Sequence, residues 1–450
     1  MPHKSMEPLF VNTHANGFRH IYQQLDTSEP TTHIYLYCGV GSAMDPPNLR
    51  GVSHFIEHMC FKGTRAKPKA TDFIRIFDRA GAYFNAFTVQ RFTGYTVKCH
   101  HADLELLLHT LSDGVLNSIF DVVEYKKELK VVVEESVKLL DDYESQAEDH
   151  INKMVYAGTP FEHPIDCYEY HKSDSYNRES VMDFYKKWYC PSNMVLSVCS
   201  NIPYKAFQHA LKDTHFLKKA GPHITPDYTL YTLPIPSSTV QYKIASIDSP
   251  KTSYVSIAFR VCAYNSPDKY LLDFLAEIFS GHFISKLYVA LRQDNGLTYY
   301  SNAYTEYHEM CGDFTIVAVS DVEKLFTNGR GGKKGVIPII IDTVNDILRN
   351  GPSKDEMDIT KMNIQRSREI SNLTEKCAEY NGEYVLLNPG NVPIPYQKFY
   401  ETYYQNITAE QIRDVARKYL SLSNMSVCVL GKGVKQSTAE RECSKLAKFY

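Results

Sequence analysis

Between residues 17 and 40 apolar and polar positions alternate, most clearly through His33-Ile34-Tyr35-Leu36-Tyr37, and a period of two marks a strand. The alternation stops at Gly39-Val40-Gly41-Ser42 and Asp45-Pro46-Pro47, a loop by composition. From Ser53 the spacing becomes helical. Phe55, Ile56, Met59 and Phe61 can pack beneath such a helix, while His54 and His58 share its other face. Ser53 is placed to cap this helix, and Lys62-Gly63-Thr64 to end it. The pattern then predicts a helix over 69–80 and a strand from Gly81 through Asn85, Ala86 and Thr88 that runs on through Tyr95-Thr96-Val97. Helices are predicted over 104–119 and 124–145.

Further on, Trp188-Tyr189-Cys190-Pro191-Ser192-Asn193-Met194 leads into a strand, Val195-Leu196-Ser197-Val198. A comparable phrase, Tyr419 to Ser423-Asn424-Met425, precedes a second strand, Val427-Cys428-Val429-Leu430. A phrase repeated before the same kind of element predicts a duplicated domain. The proline-bearing stretch 216–240, with Pro222, Pro226, Pro234 and Pro236, is the natural linker, so the expected domains are 1–215 and 241–450. The second copy repeats the strand and helix order at Tyr254 to Cys262 and Tyr270 to Phe279. Its helix holds Asp273 and Glu277 but no paired histidines. Asn328 to Gly335, rich in glycine, reads as a surface insertion, and it lacks the Gly-Lys-Ser/Thr ending of a phosphate loop.

A chain of 450 residues that is 43% hydrophobic can bury more than one core. Its 49 Lys and Arg against 52 Asp and Glu leave a net charge of −3, which gives no reason to expect nucleic acid or an anionic membrane as partner. Eleven cysteines stand singly with no Cys-x-x-Cys pair, a pattern that predicts free thiols and a cytoplasmic or other reducing compartment. The segment Met1 to Phe10 has neither an apolar signal core nor an arginine-rich presequence pattern, and no stretch is apolar over the ~18 residues of a membrane span. The Asn-x-Thr matches at Asn372 and Asn406 are then expected to carry no sugar.

The chemistry concentrates at His54-Phe55-Ile56-Glu57-His58. On a helix it sets two imidazoles one turn apart with a carboxylate between them, which suits a metal with its own base. Two imidazoles are one ligand short of the three that a catalytic zinc usually takes. Glu128 and Glu135 can supply the third: at about two helical turns apart they fall nearly on one face, with Glu134 pointing elsewhere. Cys60 reads as core, and His100-His101 as surface.

His-x-x-Glu-His followed by a Glu-bearing helix resembles the inverted zincins of the pitrilysin and insulinase family. The resemblance implies an α+β fold of two homologous domains, each a mostly antiparallel sheet packed with helices, facing each other as half of a clamshell. It implies one Zn2+ per chain on His54, His58 and Glu135, with Glu57 as the base that activates a water and Glu128 in support. Asn85 and Ala86 resemble the edge strand on which an extended peptide substrate adds as another strand. Arg292-Gln-Asp-Asn-Gly296-Leu297-Thr298-Tyr299 resembles the segment whose Arg and Tyr reach the zinc-bearing domain on closure. The stretch His163-Pro164-Ile165-Asp166-Cys167 departs from the family's usual glycine turn. The expected activity is zinc-dependent endopeptidase, in a homodimer. The alternatives are the zinc-bearing subunit of a heterodimeric presequence-processing peptidase, similar to the mitochondrial enzyme's beta subunit, or a non-catalytic scaffold relative.

Overall fold

A computed structural model describes residues 8–166, 174, 176–222, 224, 240–249, 251–327 and 333–447. Cys167, most of the expected linker and residues 328–332 of the glycine-rich insertion lie outside the described residues. The described residues form two compact units. One draws on Met1–Val137, Pro164–Asp227 and Ile370–Lys398, the other on Lys138–His163, Tyr228–Glu369 and Phe399–Tyr450. The 1–215 and 241–450 division follows the two halves of the chain, whereas each compact unit also takes one segment from the opposite half.

The first unit holds a sheet of β1 (Leu9–Thr13), β2 (Arg19–Gln24), β3 (Thr31–Cys38), β4 (Tyr83–Thr88), β5 (Thr93–His100) and β6 (Met194–Ser200), in the order β1-β2-β6-β3-β5-β4. The second holds β7 (Gln241–Ala245), β8 (Thr252–Val261), β9 (Thr298–Tyr307), β10 (Gly312–Asp321) and β11 (Met425–Leu430), in the order β7-β11-β8-β10-β9. Only β2 with β6 and β7 with β11 run parallel. Each unit is therefore an α+β body around a mostly antiparallel sheet.

The first sheet is covered on both faces, and β3 shows how its sequence permits that. Ile34, Leu36 and Cys38 join one core with Phe55, Ile56 and Leu108, while Tyr35 and Tyr37 join another with Ile21, Cys377 and Val385. The first face carries the helices α1 (Val52–Met59), α2 (Ala70–Arg79) and α3 (Leu104–Asn117). The other carries the helix Leu373–Leu387 from the C-terminal half, packed on β2, β3 and β6. Gly382 makes that approach possible, because a Cβ there would sit 2.5 Å from the Tyr37 ring. A buried amide pair, Asn381 Nδ2 to Gln23 Oε1 at 2.8 Å, fixes its register on the sheet.

The strand expected to run from Gly81 to Val97 is instead a hairpin, with Asn85 opposite Thr96 and Ala86 opposite Tyr95. Its turn carries no Gly or Asn signal and is held from outside. Ser42 N donates to Val89 O and Ala43 N to Gln90 O, so a tertiary contact folds what periodicity reads as one strand. The helix expected over 124–145 breaks into α4 (Val122–Leu139) and α5 (Tyr143–Val155), because the Asp142 side chain accepts from Glu144 N and starts a new helix. In the second unit α5 packs on β8 and β11.

Candidate metal centre

Helix α1 is short, and its start is built by Asp45 rather than by the expected Ser53. Asp45 Oδ2 accepts from Gly51 N at 2.8 Å, and its Oδ1 accepts from Ser53 N at 3.2 Å and Ser53 Oγ at 2.6 Å. Gly51 at φ 81° sits where only glycine turns freely into the helix, so Ser53 falls inside the first turn as a partner of the cap. Phe55, Ile56 and Met59 are fully buried beneath, as their spacing predicts. Cys60 is core, accepting from Tyr95 Oη at 3.4 Å. His101 lies away from this site against Asn201.

That anchoring turns His54 and His58 outward together, with Nε2 atoms 3.1 Å apart. Glu135, two turns along α4 from Glu128, brings Oε2 to 3.5 Å from His58 Nε2. The three residues form a group whose ligand atoms lie within 4.8 Å of one another. Donors held at ~2.1 Å from a tetrahedral zinc are about 3.4 Å apart, so the separations of 3.1 and 3.5 Å match the edges of such a site. Two imidazoles and one carboxylate are also a donor set zinc takes in hydrolases. Glu134 is exposed and stands outside the group.

The remaining predicted acids take distinct places. Glu128 is buried, with Oε1 3.0 Å from His58 Nδ1 and Oε2 2.7 Å from Lys62 Nζ. Burial alone would raise its pKa, but the contacts with His58 and Lys62 outweigh that and hold it below the usual carboxylate range. Glu57 lies between the histidines, 8% exposed, and accepts from Thr88 Oγ1 at 2.7 Å. Burial pushes its pKa up, against the Thr88 bond and the nearby imidazoles. His54 Nδ1 meets Asp166 Oδ1 at 2.5 Å. Burial would lower the His54 pKa, yet Asp166, with Glu57 and Glu135 beyond, turns the balance upward.

Asn85 and Ala86 lie on β4, the edge of the first sheet, with Asn85 exposed and Ala86 packed against the core. Arg292 and Tyr299 belong to the second unit. Arg292 lies near the end of a wide helical turn, Tyr288–Gln293, closed by Asp294 N to Val289 O, and donates to Thr298 O at 2.8 Å. Tyr299 is no core aromatic: it is 65% exposed and donates to Asp321 Oδ1 at 3.1 Å. Sequence reasoning passed over Asp166, Thr88 and Lys62 as neighbours of the site. Thr88 stood in a segment already singled out, two residues beyond Ala86, whereas Asp166 is 112 positions from His54 and only the fold joins them.

Residues 21–169 match the family model described as "Insulinase (Peptidase family M16)", and residues 175–364 match "Peptidase M16 inactive domain". The chain belongs to the M16 peptidase family. Among the relatives of this M16 chain, an uncharacterized zinc protease of Bacillus subtilis (strain 168) is 27% identical, over 83% of this chain and 87% of the relative. Cytochrome b-c1 complex subunit 1 of Rattus norvegicus is 23% identical, over 91% and 83%. The structure of a protease from Helicobacter pylori superposes with a TM-score of 0.83 at 18% identity, over 94% of this chain and all of that one, and shows the same fold. The relatives named as zinc proteases place zinc-dependent proteolysis among the activities of this family. No described helix is long and apolar enough to cross a membrane.

Proposed function

We propose that this chain is a zinc endopeptidase in which His54, His58 and Glu135 hold the metal and Glu57 is the general base. The observation that carries the reading is the convergence of two Nε2 atoms and one carboxylate oxygen at 3.1 and 3.5 Å, with a second, non-converging carboxylate between them. Zinc bound there would polarise a carbonyl and make a water more acidic. Glu57 then takes the proton of the attacking water on a carboxylate oxygen and delivers it to the departing amide nitrogen, a role that its burial and single hydroxyl partner favour. Glu128 orients His58 through Nδ1, leaving Nε2 for the metal.

The substrate is an extended peptide that adds to the free edge of β4 beside Asn85 and Ala86, where main-chain hydrogen bonds accept many sequences. Tyr299 donates to the oxyanion and Arg292 supports it, and two copies of the chain pair as a homodimer. The purified protein should contain about one zinc per chain, and a chelator should remove both the metal and the cleavage of a quenched peptide library, with zinc restoring both. Cleavage that persists in zinc-free protein would defeat the reading.

A further inference from the structure

Both histidines of α1 are arranged alike, and only one of the two arrangements has a counterpart in the motif. His58 turns Nδ1 to Glu128 and Nε2 toward His54. His54 turns Nδ1 to Asp166 and Nε2 toward His58. An imidazole that binds a metal through Nε2 carries its proton on Nδ1, and an acceptor at Nδ1 selects that tautomer and fixes the ring. Asp166 offers that acceptor to His54.

Its placement is otherwise costly. His54 Nδ1 and Asp166 Oδ1 are both buried and neither makes an aligned hydrogen bond, although they touch at 2.5 Å. Each is therefore the other's available partner, since buried polar atoms are seldom left without one. A further carboxylate also joins a cluster that already holds Glu57, Glu128 and Glu135, with Lys62 as the cation paired within it. Crowded carboxylates repel one another unless a positive charge joins them, and a divalent cation held by the histidines would supply that charge.

We propose that Asp166 is a positioning residue of the metal centre, holding His54 in its metal-binding tautomer as Glu128 holds His58. The inference rests on the ligand set proposed above. Asp166 acts through His54 and touches neither metal nor substrate.

The test is zinc affinity of the full-length protein, measured by competition with a chromophoric chelator. Asp166→Ala should weaken zinc binding by roughly 10-fold to 100-fold. Asp166→Asn, whose amide oxygen still accepts from Nδ1–H, should recover part of that loss. The melting temperature of the zinc-free protein should be the same in both variants and the wild type, and KM at saturating zinc should not change. Wild-type affinity in Asp166→Ala, in an assay where His54→Ala abolishes binding, overturns the Asp166 role and leaves the ligand set standing. Full affinity in His54→Ala overturns the ligand set itself. A loss of affinity matched by an equal drop in the zinc-free melting temperature of both Asp166 variants assigns Asp166 to loop folding and overturns the proposal.

Discussion

The two units share one strand plan and differ in what stands over the edge strand. In each, a parallel pair adjoins an antiparallel run that ends at β4 or β9, and the α-helix that follows β3 or β8 packs against that edge strand. In the first unit this helix is α1, which turns two imidazoles outward. In the second it is Asp268–Ser280, where Asp273 accepts from Thr305 Oγ1 at 2.7 Å and Tyr307 Oη at 2.8 Å. Asp273 Oδ1 is thus committed to two hydroxyls of its own sheet, and burial raises the pKa of both Asp273 and Glu277. The backbone plan thus makes no metal site by itself. The first unit has a candidate one, in which each histidine meets a carboxylate at Nδ1 and turns Nε2 toward the other.

The sharpest break in the comparison is expected at Tyr299, the proposed oxyanion donor. Tyr299→Phe should lower kcat by roughly tenfold to a thousandfold while zinc content stays at the wild-type level. An unchanged kcat would leave the exposed Tyr299 as a partner of Asp321 alone.

The borrowed segments should separate the units by pH. In the first, the helix Leu373–Leu387 is fixed by an uncharged amide pair. In the second, Tyr156, just after α5, donates to the buried Asp313 at 2.5 Å, and burial pushes the Asp313 pKa up to about 6 despite bonds from Thr315 and Tyr156. A carboxyl whose folded pKa is raised contributes its stability in full below the unfolded value near 3.8 and loses it as pH rises through about 6. Asp313→Asn should therefore gain on the wild type, by up to about 3 kcal/mol, between pH 4 and pH 7. The comparison is read from paired chemical denaturation curves. A constant difference across that range would contradict the pairing.

The smallest effect is expected at the repeated phrase. Asn193 Nδ2 donates to Trp188 O at 3.0 Å and Asn424 Nδ2 to Tyr419 O at 2.8 Å, each tying off the helix before its strand. Asn193 is buried and Asn424 only partly so. Asn193→Ala should cost about 2 kcal/mol and Asn424→Ala about 1 kcal/mol, by the same denaturation measurement. Equal costs would mean that burial does not set the difference.

Much of this was legible in the chain. The repeat around Asn193 and Asn424 survives because one hydrogen-bonding job, closing a helix ahead of a strand, needs the same amide at the same spacing twice. The facing histidines were legible because a single helical turn encodes them. Periodicity reports which face of an element is apolar, but not which sheet will cover it, so the exchange of α5 and of the helix Leu373–Leu387 between the chain halves left no local trace. The β4–β5 turn was missed for a related reason, since its bonds to Ser42 and Ala43 come from outside the hairpin. Asp45 and Asp166 act on α1 from loops, where spacing carries no information about contact.

Metal binding and proton transfer are proposed to fall to separate carboxylates, Glu135 of α4 and Glu57 of α1, and one paired measurement tests it. Zinc content and peptide hydrolysis are determined together for Glu57→Gln and Glu135→Gln. Glu57→Gln should keep wild-type zinc and lose at least ~10² to 10⁴ in hydrolysis while still binding peptide, and Glu135→Gln should lose the metal. A Glu57→Gln protein that sheds its zinc or cleaves at the normal rate, or a Glu135→Gln protein that keeps full zinc occupancy, would contradict the account.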